Sequence, residues 1–466
     1  MDTMIPTPKP GEARCPRGPS TQEIVHRDGR PVPPVLAMES YRFLGDEDIA
    51  FDRYISPEFF AMEMKNLWPK VWQWACREEH IPEPGDYHVY EIGPYSILVV
   101  RTQDGTIKAY HNSCLHRGTK LRPTGGEGNA TELRCPFHGW TWDLDGELKR
   151  VPCPWDLPHV TAESHRLPQV RVGLWGGFVF INMDENAPSL EDYMAPMQDH
   201  FKNWDIANRY IDLHIEKELF ANWKTAQEAF MENYHTQETH PQLLYGNGDE
   251  NTQYDIFTDN VSRFYATNGV SSPHLPKALS EEELINTMLV GDRTLLKDEL
   301  TLGEGETARI VMARVLRKVL GETYKADMSR YTDTEMLDVV EYSLFPNMVL
   351  FPGLSLPMVY RFRPIGMDPD RCLFELIFLR PVPDNGDRPE PAVPQRLGER
   401  DSYTKAQGID PAFGHVYDQD TNNLRDQQEG MKAAHKQGQT LTNYQEVRVR
   451  HFQQTIDRYV LGKEPS

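Results

Sequence analysis

Two short pairs of metal-ligand residues, separated by 18 residues, constrain this chain more than any other feature in it. Residues 112–118 read Asn-Ser-Cys-Leu-His-Arg-Gly, and residues 134–140 read Arg-Cys-Pro-Phe-His-Gly-Trp. Cys114 with His116, and Cys135 with His138, make a Cys-x-His … Cys-x-x-His pattern. Two thiolates on one iron and two imidazoles on the other is the donor set of one kind of [2Fe–2S] centre. The same four side chains could close a structural zinc site, so donor type by itself leaves both open. The surroundings favour the cluster. Gly118 and Gly139 follow the two pairs and permit tight turns in which the backbone approaches sulfur. Pro136 stiffens the second turn, and Trp140 adds an aromatic wall. In the first interval, Gly125-Gly126-Glu127-Gly128 supplies the flexible excess.

The rest of the composition narrows the setting. A chain of 466 residues predicts two to three domains with room for a large core. Seventy acidic residues against 49 basic ones leave a net charge of −21, which repels phosphate backbones and excludes a nucleic-acid-binding role. No apolar run approaches the roughly 20 residues that span a bilayer. The N-terminus lacks the apolar core of a secretory signal, so no membrane association is expected and the expected address is the cytoplasm. Six cysteines in this length do not make a disulfide framework. Cys15, Cys76, Cys153 and Cys372 read as free thiols.

Along the chain, residues 1–40 hold many prolines and little periodicity, predicting an extended or disordered arm. Residues 41–74 read as a helical segment packing on the larger, C-terminal domain, with Ser56 as N-cap, Pro57 at the first helical position and Pro69 ending the run. From about 75 to 180 short alternating strands are separated by turns at Gly93-Pro94, Asp104-Gly105 and Asp145-Gly146. The four cluster ligands fall in loops of that small antiparallel domain. Residues 181–466 form the second domain: a helix over 189–204, a strand at 211–221, a helical segment over 221–241, a strand over 253–266, and helices over 280–291 and 304–325. Three β-rich runs follow between 340 and 382. A Pro-rich surface loop over 383–411 and two helices, at 415–436 and 443–461, complete it.

The second chemical segment is Ala-Asn-Trp-Lys-Thr-Ala-Gln-Glu-Ala-Phe-Met-Glu-Asn-Tyr-His-Thr-Gln-Glu-Thr-His-Pro, residues 221–241. His235 and His240, five apart, would stand about 140° apart on a straight helix. Pro241 biases His240 out of helical geometry, so the two imidazoles can converge. Such a pair needs one carboxylate to make a facial triad for non-haem Fe(II). Asp418 and Asp420 are two apart on a helix, so only one can face inward.

Asn222-Trp223-Lys224, Glu228, Glu232, Tyr234-His235 and Thr239-His240, together with the paired Cys/His motif, resemble the Rieske non-haem iron oxygenases. The resemblance runs from about residue 50 to 435. It singles out Asp420 as the third ligand, because Gln428-x-Gly430-Met431 follows at the family's distance. It puts Glu232 where the family commonly holds an Asp that bridges a cluster histidine of one subunit to a catalytic histidine of the next. Glu228 is then a buttress of the site or a solvated helix carboxylate. The implied fold class is α+β: a small antiparallel β Rieske domain, and a helix-grip-like catalytic domain whose antiparallel sheet is packed by long helices. The implied assembly is a head-to-tail homotrimer, with or without a small β subunit. The implied activity is that of an oxygenase alpha subunit, hydroxylating a hydrophobic ring compound with O2. No dinucleotide fingerprint is present, so electrons from NAD(P)H must arrive through a separate reductase, with or without a ferredoxin. Apolar runs at 257–266, 345–360 and 285–320 are the expected substrate wall. An electron-transfer or redox-sensing subunit is the alternative; the presence of His235, His240 and Asp420 together argues against it.

Overall fold

Short β-prone runs build one large sheet in each of the two units into which the chain divides, antiparallel except at one edge. The computed structural model describes residues 14–15, 17–287 and 300–462. One unit comprises residues 60–193 with 364–368; the other comprises residues up to 59, 194–363 and 369 onward. The boundaries expected from the sequence lie at 40, 74 and 180. The division falls instead inside the helix Pro57–Asn66, whose start Ser56 caps by accepting from the Phe59 amide at 3.1 Å.

The smaller unit carries a seven-stranded sheet in the order Gln73–Arg77, Phe178–Asn182, Gln169–Trp175, Ile107–His111, Tyr95–Arg101, Asp86–Ile92, Glu127–Asn129. Ile97 to Val100 is a continuous buried apolar run because that strand lies in the middle of the sheet. Glu127–Asn129 pairs with Asp86–Ile92, so the glycine-rich excess between the ligand pairs forms an edge strand. A second, three-stranded sheet joins Leu133–Arg134, Thr141–Trp142 and Leu148–Arg150. Cys114 and Cys135 belong to the apolar core of this unit, with Leu98, Tyr110, Trp140 and Trp142.

The larger unit holds an eight-stranded sheet in the order Gln253–Ile256, Val261–Ala266, Val339–Leu344, Met348–Leu350, Met358–Ile365, Asp368–Pro381, Arg209–Leu219, Gln395–Leu397. Gln395–Leu397 runs parallel to Arg209–Leu219. The segment 383–411 is therefore more than a surface loop: it adds an edge strand and buries Tyr403 completely. The helix Pro411–Ala433 starts with Asp410 as N-cap, accepting from the Ala412 amide at 2.8 Å, and Pro411 at its first position. It buries Gly414, Tyr417, Asp420, Thr421, Leu424, Gln428 and Met431 at helical spacing. Its anchor is aromatic. Tyr417 meets Tyr360 of the sheet with their hydroxyl oxygens 2.7 Å apart, beside Phe230, Phe362 and Phe374. The C-terminal helix is Val447–Leu461.

Three expectations change. Residues 189–204 form two short helices, Leu190–Met194 and Met197–His200, because Pro196 lacks the amide a continuous helix needs. The described part of the arm is folded: Thr21–Val25 is a helix, Thr21 Oγ1 donates to the Asn251 carbonyl at 2.7 Å, and Asp28 pairs with Arg309 at 2.7 Å. It lies on the larger unit of its own chain; residues 1–13 and 16 fall outside the described residues. In the region expected as substrate wall, Leu284, Ile285, Ala308, Val311 and Met312 pack together as core. Residues 288–299, including the end of the expected helix over 280–291, lie outside the described residues. Among the described residues no helix is long and apolar enough to cross a membrane.

Candidate metal centres

The first centre is built from two loops with the same hydrogen-bond pattern. Cys114 N donates to the Thr119 carbonyl at 2.9 Å, and Gly118 N to the Cys114 carbonyl at 2.9 Å. Cys135 N donates to the Trp140 carbonyl at 2.8 Å, and Gly139 N to the Cys135 carbonyl at 3.1 Å. Gly118 and Gly139 close the turns at φ +79° and +74°, a region that a Cβ disfavours. Each loop buries its thiol and leaves its imidazole toward the surface: both cysteines are buried, His138 is half-buried and His116 exposed.

The thiols lie within hydrogen-bond reach of one another, and the imidazole rings stand edge to face with centroids 4.6 Å apart. Burial raises the Cys114 thiol. At Cys135 burial acts the same way, but the amides of Phe137 and His138 outweigh it and hold the thiol below its usual value. Backbone donors aimed at sulfur are what a cluster thiolate needs. The His116 ring stacks on Trp140 at 5.2 Å, nearly parallel, and Arg117 Nη2 lies 3.1 Å from His138 Nε2. Two inward sulfurs and two outward nitrogens on twin loops fit a binuclear cluster with split ligation better than one tetrahedral ion.

The second centre lies in the larger unit. The segment 221–241 is not one helix. Asn222 caps Trp223–Glu228 by accepting from the Lys224 amide at 3.1 Å, and the helix ends there. Glu232 then captures the next amides with its own carboxylate. Oε2 accepts from Tyr234 N and, at 3.0 Å, from His235 N, while Oε1 lies 2.7 Å from His235 Nδ1. Side-chain bonds of this kind compete with helical ones, so Glu232 sits in a turn before the short helix Thr236–Thr239. Three residues apart, Glu232 and His235 meet through this turn and not across a helical face. His240 follows that helix, just before Pro241.

The two imidazoles converge on one oxygen. His240 Nε2 is 2.6 Å and His235 Nε2 3.5 Å from Asp420 Oδ1. Their far nitrogens are held apart from it: His235 Nδ1 by Glu232, and His240 Nδ1 by Gln419 Oε1 at 3.0 Å, which also accepts from Gln242 Nε2 at 2.7 Å. Fixing both Nδ1 atoms presents both Nε2 atoms to a shared point. Gln419 and Gln242 carried no signal in the sequence beyond Gln419 preceding Asp420. Burial pushes His235 down, but Glu232 and Asp420 lift it to about 9. The charge around this point therefore favours a cation, and two imidazoles with one carboxylate suit divalent iron. Asp418 points elsewhere, accepting from Ser402 Oγ and the Tyr403 amide.

Among the described residues a second trio, His214, Glu216 and Glu375, also brings donor atoms within 4.8 Å of one another. It carries its own cations. Arg361 and Arg363 both bond Glu375 and, against its burial, hold its carboxyl well below the usual range. Glu228 is neither solvated nor beside the imidazoles. It is buried, accepting from Tyr54 Oη at 2.9 Å and from Gln453 Nε2 at 2.5 Å.

Comparison with known proteins adds the following. A family model for the ring hydroxylating alpha subunit (catalytic domain) matches residues 201–462, and one for the Rieske [2Fe–2S] domain matches residues 71–161. The chain is 32% identical over 228 residues to a glycine betaine monooxygenase oxygenase subunit of Chromohalobacter salexigens, covering 47% of this chain and 50% of that one. It is 32% identical over 209 residues to the anthranilate 1,2-dioxygenase large subunit of Acinetobacter baylyi, covering 41% and 42%. These matches span about half the length of the relatives or less. Among solved structures, the quaternary ammonium Rieske monooxygenase CntA with L-carnitine superposes at a TM-score of 0.60 and 19% identity, over 88% of this chain and 95% of that one. Naphthalene 1,2-dioxygenase with indole superposes at 0.62 and 18% identity, over 91% and 95%.

Proposed function

This chain belongs to the ring hydroxylating alpha subunit family, and on that premise we propose that it is the terminal component of a Rieske oxygenase, hydroxylating a small organic substrate with O2. The Rieske domain implies a [2Fe–2S] cluster and the catalytic domain a mononuclear iron. Cys114, His116, Cys135 and His138 would hold the first; His235, His240 and Asp420 would hold the second. When bound, the cluster supplies single electrons and the mononuclear iron supplies O2 activation. The observation that carries the proposal is the convergence of His235 Nε2 and His240 Nε2 on Asp420 Oδ1, with both Nδ1 atoms fixed.

The chain's own residues have separable tasks in this reading. Asp420 supplies the charge that balances the cation and is carried on the buried face of its helix. Glu232 accepts from His235 Nδ1, which sets the tautomer of that imidazole. Its carboxylate is also the bridge toward a Rieske histidine of a second copy in a head-to-tail trimer. A separate NAD(P)H reductase is the electron source, and the assembly works in the cytoplasm.

The side chains packed beside Asp420 are aromatic. Phe230, Tyr360, Phe362 and Phe374 cluster beside Tyr417, one turn before Asp420. Ring faces attract a quaternary ammonium group through the π quadrupole, in keeping with the substrates for which the glycine betaine and CntA relatives are named. They also stack on aromatic rings, and the anthranilate relative supports a ring compound as the second reading. Turnover with a supplied reductase, scoring substrate-dependent O2 uptake and hydroxylated product over both classes, decides between them. A chain that loads iron at both centres yet takes up no O2 with either class would instead be an electron-transfer protein.

A further inference from the structure

Glu232 is fastened through both of its neighbours, and we propose that Arg448 and Tyr254 are positioning residues that aim its carboxylate. The proposal rests on Glu232 being the bridge. The carbonyl of Met231, the residue before it, accepts from Arg448 Nη1 at 2.9 Å. The amide of Asn233, the residue after it, donates to Tyr254 Oη at 3.0 Å.

The arginine is held for this task from three directions. Its side chain is fully buried beside Glu341, to which Nη2 donates at 2.7 Å; Nη2 also bonds Ser343 Oγ at 2.6 Å, and Nε bonds Ser262 Oγ at 3.1 Å. Two strands and the C-terminal helix thus fix one guanidinium, and its remaining donor reaches the turn. A buried charge is costly unless its donors are satisfied. Here that satisfaction also pins a specific backbone oxygen. Tyr254 is likewise buried, set between Phe264 and Tyr444 in edge-to-face contacts. Asn233 locks the turn further: Nδ2 donates to Asn247 and Thr252, and Oδ1 accepts from Thr236 Oγ1 at 2.6 Å. A Glu has one more side-chain torsion than an Asp, so its aim depends more on a fixed backbone. Neither Arg448 nor Tyr254 touches His235, His240 or Asp420 through a hydrogen bond among those described.

Two variants probe the clamp in the full chain as purified. Arg448→Met combined with Glu341→Gln removes both charges, so neither is left buried alone. Tyr254→Phe removes the other contact and changes the core by one oxygen. Glu341→Gln alone takes away the counter-ion but still accepts from Arg448 through the glutamine oxygen, and with the Ser343 and Ser262 bonds intact it keeps the Arg448 bond to Met231. Loss of a clamp contact is expected to speed hydrogen exchange at the amides of residues 233–235 by about tenfold and to slow single-turnover oxidation of the reduced cluster by about tenfold. Iron content and exchange in Val339–Leu344 stay at wild-type values, and Glu341→Gln stays near wild type on both readouts. Wild-type exchange and oxidation in Tyr254→Phe overturn the proposal, and that variant decides the matter if the double variant does not fold. Loss of mononuclear iron also overturns it, because the clamp would then be holding His235. So does a Glu341→Gln rate as slow as the double variant's. A wild-type rate in Glu232→Gln sinks the bridge itself, whereas slow Glu232→Gln beside fast Tyr254→Phe sinks only the clamp.

Discussion

Replacing Glu228 by glutamine should stabilise the protein in alkali and weaken it slightly in acid, a sign change set by burial. Burial lifts the Glu228 carboxyl from 4.5 to about 7, against the opposing effects of Gln453, Tyr54 and Lys224. Below pH 4.5 the folded and unfolded chains both carry the proton. Between 4.5 and 7 only the folded chain does, so this group's contribution to stability falls as pH rises through that window and is fully lost above it. The displacement corresponds to about 3 kcal/mol, an upper figure for a group this enclosed. Glutamine resembles the protonated carboxyl and has no such dependence. It keeps the Gln453 and Tyr54 bonds through its oxygen, because both donors reach Oε1, but turns an NH2 toward the Tyr54 hydroxyl, whose oxygen already accepts from Gln439 Nε2 at 2.6 Å. An NH2 buried without a good acceptor costs about 1 kcal/mol. Glu228→Gln should therefore melt a few degrees above wild type at pH 8 and slightly below it at pH 5. Scanning calorimetry of both proteins at the two pH values measures this. An equal difference at pH 5 and pH 8 would mean that Glu228 is ionised throughout, stabilised by Lys224, and would refute the burial argument.

Three further outcomes follow from the metal centres. Cys114→Ser and His138→Ala should each abolish the visible absorbance of the cluster; a mutant that stays red-brown with full iron removes that residue from the ligand set. Asp420→Ala should lose mononuclear iron and turnover with cluster absorbance intact, while Asp418→Ala, which loses only its bonds to Ser402 and Tyr403, should keep iron; the reverse pattern in metal analysis would exchange their roles. Gly139→Ala should cost about 1 kcal/mol through its left-handed backbone, lowering the temperature at which the cluster bleaches, since a Cβ there meets only ordinary contacts at 3.5 Å; an unchanged bleaching temperature would mean that the loop relaxes freely.

What could be read from the sequence was chemistry carried by spacing. The Cys/His pairs stand on twin glycine turns because each turn needs its glycine within the motif itself. Helical spacing said only that one of Asp418 and Asp420 could face inward, and the resemblance chose Asp420; the structure buries Asp420 and gives Asp418 to a loop. Contacts between distant segments were not readable. Gln419 meets His240 across 179 residues, and Arg448 meets Met231 across 217. Both depend on how a C-terminal helix packs on the sheet, and no local pattern encodes that. The parallel edge strand Gln395–Leu397 hid in a Pro-rich stretch because three residues carry too little periodicity to register.

Helical periodicity also failed at the site itself, and the two facts have one cause. Residues 221–241 read as a helix because good helix formers fill most of it. Glu232 and Asn233 override that preference, taking the amides of Tyr234 and His235 and the Thr236 hydroxyl into side-chain bonds. Those bonds end helical registry, and in the same act one of them turns His235 so that Nδ1 faces Glu232 and Nε2 faces Asp420. A continuous helix would have kept His235 and His240 about 140° apart. Local propensity was surrendered where convergence on a single oxygen was needed, as expected at a functional site.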